Sequence, residues 1–245
     1  MSLAVVQGVV TSRRFKRESR SAGPYFSGRE PFARSATSTL MDAALRAGIA
    51  IHNAGHYHAA HDAWEDEWLA LDDGPDERLL HGLVQFTAAV HHARSRNWTG
   101  AVGLCESARE YLDGLPPDHR GVNVAAVQRY LAGLGDDPER VERESVLALT
   151  SDGDALGLAD LDAHAAVEAA VVLADRHGYS VEDFDAAAEY AREGLADGEY
   201  NEFAALLCDF AAGDAQRALV ATRLGQHVQR RQRREADVAG LFDEN

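Results

Sequence analysis

Lysine is almost missing from this chain: Lys16 stands alone against 23 arginines. A phosphate-binding GxxxxGK[ST] loop is therefore excluded, because Lys16 follows Phe15 and not a glycine. Schiff-base catalysis through lysine is disfavoured on the same ground. Cysteine is scarce as well. Cys105 and Cys208 lie far apart and form no CxxC, which argues against a disulfide scaffold and against a cysteine zinc site. No apolar run approaches the roughly 18 residues that a transmembrane helix needs. Neither GxSxG nor a GxGxxG following a strand is found, so no nucleophile elbow and no nucleotide cofactor are expected.

The chain has 245 residues, with 40 acidic and 24 basic side chains and a formal charge of −16. That length allows one or two domains. The negative charge disfavours nucleic acid and anionic membrane as partners and leaves a small molecule, a protein or a second copy of the chain. The acidic, lysine-poor, alanine-rich composition is of a haloarchaeal type, which concerns solvent and not chemistry.

Charge is unevenly spread. Residues 1–40 carry +5 and the remainder −21. The first segment is rich in Ser, Gly and Pro, lacks sustained periodicity, and reads as disordered. An early start is the alternative, with Met41 opening the first helix. The twin-arginine-like run Ser12 to Lys16 is followed by no apolar region, so no export signal is read and a cytoplasmic location is expected.

From Met41 onward, apolar residues recur at helical spacing. Helices are expected near 41–53, 56–71, 77–96, 99–114 and 121–134, and again near 161–177, 181–196, 199–212 and 214–235. Residues 135–160 read as a linker with one short extended piece. Ser180 and Asp183 form a capping box, and Gly178, Gly198 and Gly213 sit where helices should end. The expected fold is all-α: a helical bundle of antiparallel hairpins, with layers 41–134 and 161–245 joined by the irregular linker. Three turn–aromatic–helix steps, at Tyr57, Trp98 and Tyr200, hint at tetratricopeptide-type hairpins without a strict period.

The histidines carry the chemistry. Seven of the eleven fall between His52 and His92. Histidine is the commonest metal ligand and the usual acid–base at neutral pH. His61 and Glu65 share a helix face, with Asp62 one step round it. A turn near Asp73 to Pro75 brings the next helix back, setting Ala88 level with His61, Val84 with Glu65, and His91 near His58. His61, Glu65, Gln85 and one of His91 or His92 can then converge. The expected metal ligands are His61, Glu65, His91 and His92 around a divalent ion of unspecified identity, with Glu65, Asp62 and Gln85 as catalytic candidates. The spacing is neither HExxH nor the Glu-x-x-His of di-iron bundles. Structural histidines in a non-catalytic interaction module are the competing expectation. Trp64 and Trp68 read as core. Arg217, Arg223, Arg230, Arg231, Arg233 and Arg234 gather near the C-terminus as a solvated face paired with carboxylates or a partner subunit, with an anion or RNA contact as the alternative.

These residues resemble a family. Tyr57, His58, His61, Asp62, Trp64, Glu65 and Trp68, then Gly82-Leu83-Val84-Gln85, then His91, His92 and Arg94, then Asn97 and Gly100-Ala101 are similar to the signature of the domain-of-unknown-function 309 (DUF309) family. The resemblance covers about residues 45–112. Asp62 stands where that family usually has Glu, and Arg96 where it usually has Gly. The resemblance implies a compact all-α domain of a kind often labelled a metal-dependent hydrolase. It favours His61, Asp62, Glu65, Trp68, Gln85, His91 and Asn97 as site residues.

Overall fold

A computed structural model describes residues 31–213 and 215–240, with side chains described from Met41 to Val238 apart from residue 214. The chain is helical nearly throughout, as the periodicity requires. α1 (Pro31–Asn53), α2 (Tyr57–Ala70), α3 (Pro75–Arg94), α4 (Trp98–Leu112) and α5 (Val124–Asp136) form the first set. α6 (Ala163–Arg176), α7 (Val181–Ala196), α8 (Glu202–Ala212) and α9 (Arg217–Gly240) form the second. Consecutive helices in each set pack as antiparallel hairpins, and α1 and α2 meet α6 to join the sets. One buried apolar cluster runs through both, from Ile49, Trp64 and Phe86 to Leu173, Phe184 and Phe210. The backbone of α1 begins ten residues before Met41, inside the stretch whose composition reads as unstructured, while residues 1–30 lie outside the described residues.

Helix starts follow side-chain chemistry. Asn97, Asp162, Ser180 and Asn201 each accept a hydrogen bond from the backbone N–H three residues on, satisfying a donor that the first helical turn leaves free. The Ser180 cap expected from the sequence is one of them. Gly178 and Gly198 end α6 and α7 with φ of 75° and 76°, the left-handed geometry that glycine adopts without cost. Gly213 ends α8 differently, in extended backbone at φ −125°.

The stretch between the two sets is fastened down. The Asn53 side chain donates to the Leu149 and Leu156 carbonyls at 2.8 and 2.9 Å, and accepts from the Leu149 N–H at 2.8 Å. Asn123 donates to the Ala148 carbonyl and accepts from the Thr150 N–H. Val141, Leu149 and Leu156 are buried. A two-residue hairpin pairs β1 (Thr150–Ser151) with β2 (Asp154–Ala155). Its turn, Asp152-Gly153, has φ of 53° and 94°, the Asp-Gly choice that fits two successive positive φ values.

Both cysteines are free thiols, and burial pushes the Cys105 thiol up to about 12. No helix among the described residues is long and apolar enough to cross a membrane.

Candidate metal centre

Three side chains on the first turns of α2 converge. His58, His61 and Asp62 each offer a ligand atom, and these atoms all lie within 4.8 Å of one another. The reason is local. Positions i, i+3 and i+4 of a helix share one face, so rings at 58 and 61 and a carboxylate at 62 project into the same volume. The Asp62 carboxylate is the hub. Its Oδ1 accepts from His61 Nδ1 at 3.2 Å and lies 3.6 Å from His58 Nδ1. His61 is partly covered, with 18% of its side chain exposed, whereas His58 and Asp62 are open at 50% and 45%. The face is accessible to solvent at one side and backed by protein at the other.

The α2–α3 hairpin brings His91 to this face. The His58 and His91 ring centroids are 5.8 Å apart, the level that the position of the turn implies. His91 flanks the triad without joining its 4.8 Å group. Packing around its ring lowers the His91 pKa, and the neighbouring His58, His92 and Arg176 charges lower it further. His91 is therefore biased toward the neutral form, the form able to accept a proton or ligate an ion.

His92 is held elsewhere. Its Nδ1 accepts from Asn97 Nδ2 at 2.7 Å, while Asn97 Oδ1 accepts from the Gly100 N–H at 3.1 Å. One asparagine thus caps α4 and fixes His92 as its Nε2–H tautomer. Asn97→Ala removes both bonds. It is expected to cost about 1 kcal/mol of stability, seen as a lowered urea midpoint, with the α2 triad intact.

The remaining candidates fall into two groups. Glu65 and Gln85 are half-buried on α2 and α3 and make no side-chain hydrogen bond or ion pair among the described residues. Trp68 is a strut: its Nε1 donates to Glu77 Oε1 at 2.8 Å. The same oxygen takes His81 Nδ1 at 3.3 Å, and the His81 ring stacks on Tyr111. The structure therefore gathers His61 and Asp62 with His58, places His91 against them, and leaves His92 on the α3–α4 turn. His58 was absent from the expected ligands, yet its i, i+3, i+4 relation to His61 and Asp62 is plain in the letters.

Among the C-terminal arginines, Arg217 is buried and not solvated. Its guanidinium donates to the Phe210 and Ala211 carbonyls and to His177 Nε2, bonding carbonyls at the C-terminus of α8. Arg231 pairs with Glu235 at 2.6 Å and lies over the Tyr190 ring, while Arg223, Arg230, Arg233 and Arg234 are exposed.

The hairpin that carries this site lies within a stretch that matches a known family. A 93-residue stretch is 23% identical to an "Uncharacterized protein" of Aquifex aeolicus (strain VF5). The alignment spans 36% of this chain and 28% of that relative, so less than a third of the relative's length is matched. Residues 45–104, from α1 into α4, match the family described as "Domain of unknown function (DUF309)".

Proposed function

We propose that His58, His61 and Asp62 hold a divalent cation and that the protein is a metal-dependent hydrolase. The observation that carries this reading is the triad's own geometry. Ligands bonded at 2.0–2.2 Å to a tetrahedral ion are separated by about 3.3–3.6 Å, and the Asp62 oxygen lies 3.2 and 3.6 Å from the two imidazole nitrogens. Two imidazoles and one carboxylate leave coordination positions open, as catalytic sites do and closed structural sites do not. A divalent cation so held lowers the pKa of water and polarises a substrate oxygen. The protein's part is to aim these groups and to move a proton. Glu65, one turn along the same face from His61, is the carboxylate placed to accept it. His91, biased toward its neutral form, is a second acceptor. Gln85 is an amide free to orient a substrate.

The test is a panel of ester and phosphoester substrates, assayed with zinc, manganese, iron or cobalt against a chelated control. Turnover is expected only with metal, and Glu65→Gln is expected to lower it by about 10²-fold or more. Hydrolysis indifferent to chelation, or no metal-stimulated turnover on any substrate, overturns the reading. A second reading, a non-catalytic helical interaction module, is favoured by one observation. A pocket of ≈ 540 Å³ between α7, α8 and α9, lined by Tyr190, Glu193, Tyr200 and Arg231 among others, includes none of the triad.

A further inference from the structure

The buried stripe of α9 stops before the helix does. Arg217, Val220, Leu224 and Val228 recur at spacings of three and four and are buried where α9 packs on α7 and α8. From residue 229 to Val238 every residue is exposed, about 15 Å of helix at 1.5 Å per residue. Arg231 and Glu235 continue the stripe and meet the body at Tyr190. The guanidinium lies over the tyrosine ring at 5.1 Å, and the tyrosine hydroxyl donates to Glu235 Oε2 at 2.9 Å. Val238, one turn further along that stripe, is 54% exposed. Helices in proteins are held by the packing of one face more than by propensity. One that is polar on every side needs a partner or several i, i+4 pairs. Arg231–Glu235 at 2.6 Å is the single such pair at this end among the described residues.

This exposed end is basic. Residues 229–238 hold Arg230, Arg231, Arg233 and Arg234 against Glu235 and Asp237, so +2 in a chain of −16. Beside it lies the reverse. Residues 193–202 contain Glu193, Asp197, Glu199 and Glu202 and no basic side chain. These carboxylates line the ≈ 540 Å³ pocket between α7, α8 and α9 together with Tyr190, Tyr200 and Arg231. Glu202 is paired with His227 of α9 at 2.7 Å, whereas Glu193, Asp197 and Glu199 are exposed and Tyr200 is 59% exposed. Any partner covering both features must present acid to the helix end and base to the pocket. Nucleic acid offers phosphate alone, which the pocket carboxylates repel. A second copy of this chain carries both features side by side, and a two-fold axis sets each against its opposite twice over.

We propose that this corner is the interface of a homodimer, in which the arginine-bearing end of α9 from one protomer lies along the tyrosine and carboxylate pocket of its partner. Arg230, Arg233 and Arg234 are the donors, and Asp197 and Glu199 across the two-fold axis are the acceptors. Tyrosine and arginine are the residue types that carry most of the energy at protein interfaces. Within the chain, Tyr190 already holds Arg231 with a ring beneath the guanidinium and a carboxylate beside it. Tyr200, with its neighbouring acids, receives a partner guanidinium in the same manner. The repulsion between two chains of −16 acts through solvent and is screened beyond about 8 Å at 0.15 M salt, whereas the paired charges are in contact. The interface does not rest on the metal reading, and it lies outside residues 45–104.

Sedimentation velocity of the full-length protein, over a concentration series into the high micromolar range, tests the interface. A species of twice the chain mass is expected, and raised salt should weaken it. Two variants reverse one side each: Arg230→Glu with Arg233→Glu and Arg234→Glu, and separately Asp197→Arg with Glu199→Arg. Each should weaken the dimer Kd by about tenfold or more with unchanged helical content. An equimolar mixture of the two variants should dimerise again, because the acidic helix end of one then meets the basic pocket of the other, and the unreversed pair still matches. A monomer at every concentration overturns the proposal. So does a monomer that binds a single-stranded RNA oligonucleotide through α9, since the arginines then serve an anion and not a second copy. A dimer that neither variant weakens, or variants that do not associate when mixed, overturns it as well.

Discussion

Trp64→Ala is expected to lower the stability of the fold by about 3–5 kcal/mol, the range for truncating a fully buried large aromatic. The indole has no exposed surface and sits in the centre of the first helical set. Its Nε1 donates to the Leu45 carbonyl of α1 at 3.3 Å. Gly48 of the same helix makes room for it, because a Cβ there would fall inside the indole ring. Gly48→Ala must therefore push a rigid, buried ring and is expected to cost about 1–3 kcal/mol, although alanine is the better helix former by about 1 kcal/mol. Urea unfolding followed by circular dichroism checks both. A Gly48→Ala protein as stable as the wild type would contradict the close approach of α1 and α2. The contact matters for function because Trp64 lies between Asp62 and Glu65 on α2, so the packing that buries the indole also sets which way the triad faces.

Acid is expected to weaken the protein through His52. This ring is 2% exposed, and burial pulls its pKa from 6.5 down to about 4 against a smaller opposing effect of its hydrogen bond. Nε2 donates to the Leu147 carbonyl at 2.9 Å, while Nδ1 is buried without a partner. The ring is wedged between Tyr57 and Phe86. The folded state thus favours neutral histidine, and the unfolded chain binds a proton first. The stability held by this site is present above pH 6.5, begins to fall below it, and is gone below about pH 4. The total is about 3 kcal/mol, at 1.36 kcal/mol for each pH unit between 6.5 and about 4. The difference in unfolding free energy between wild type and His52→Asn should shrink steadily from pH 7 to pH 4. Parallel curves would show that His52 does not titrate between folded and unfolded states.

Much of this was legible in the letters, for identifiable reasons. Helical periodicity and caps are local, so Ser180 could be assigned from the sequence and α7 begins beside it. Asn201 is an equally local cap, yet a helix was expected from residue 199. The aromatic Tyr200 suggested a helical start, whereas the asparagine side chain holds the first turn back to Glu202. The departure at Arg96 has a backbone meaning. Its φ is 58°, the left-handed conformation that glycine adopts more readily, so the arginine occupies a position shaped for the glycine usual in the DUF309 family. Antiparallel geometry set His91 beside His58 because a hairpin's register follows from its turn.

The rest depends on information that no short window contains. Which face of α2 is presented is decided by the burial of Trp64 against α1; His58, His61 and Asp62 share its first turns, and Glu65 lies one turn further along the same face, outside their 4.8 Å group. His92 looked equivalent to His91, but Asn97 claims its Nδ1 across a turn. The segment 135–160 looked like a linker because its polar residues resemble a loop. Asn53 and Asn123, each more than 20 residues away, satisfy its backbone and bind it to the core.

The central claim is that His58, His61 and Asp62 bind a divalent cation. Its most direct test is the metal content of protein purified without a histidine tag, measured by plasma mass spectrometry after incubation with zinc, manganese or iron and removal of free ion. The wild type is measured beside His61→Ala and Asp62→Asn. The account predicts about one ion per chain in the wild type and a loss of most of it in both variants, with unchanged helical content. No retained metal in the wild type, or equal metal in all three proteins, would contradict it.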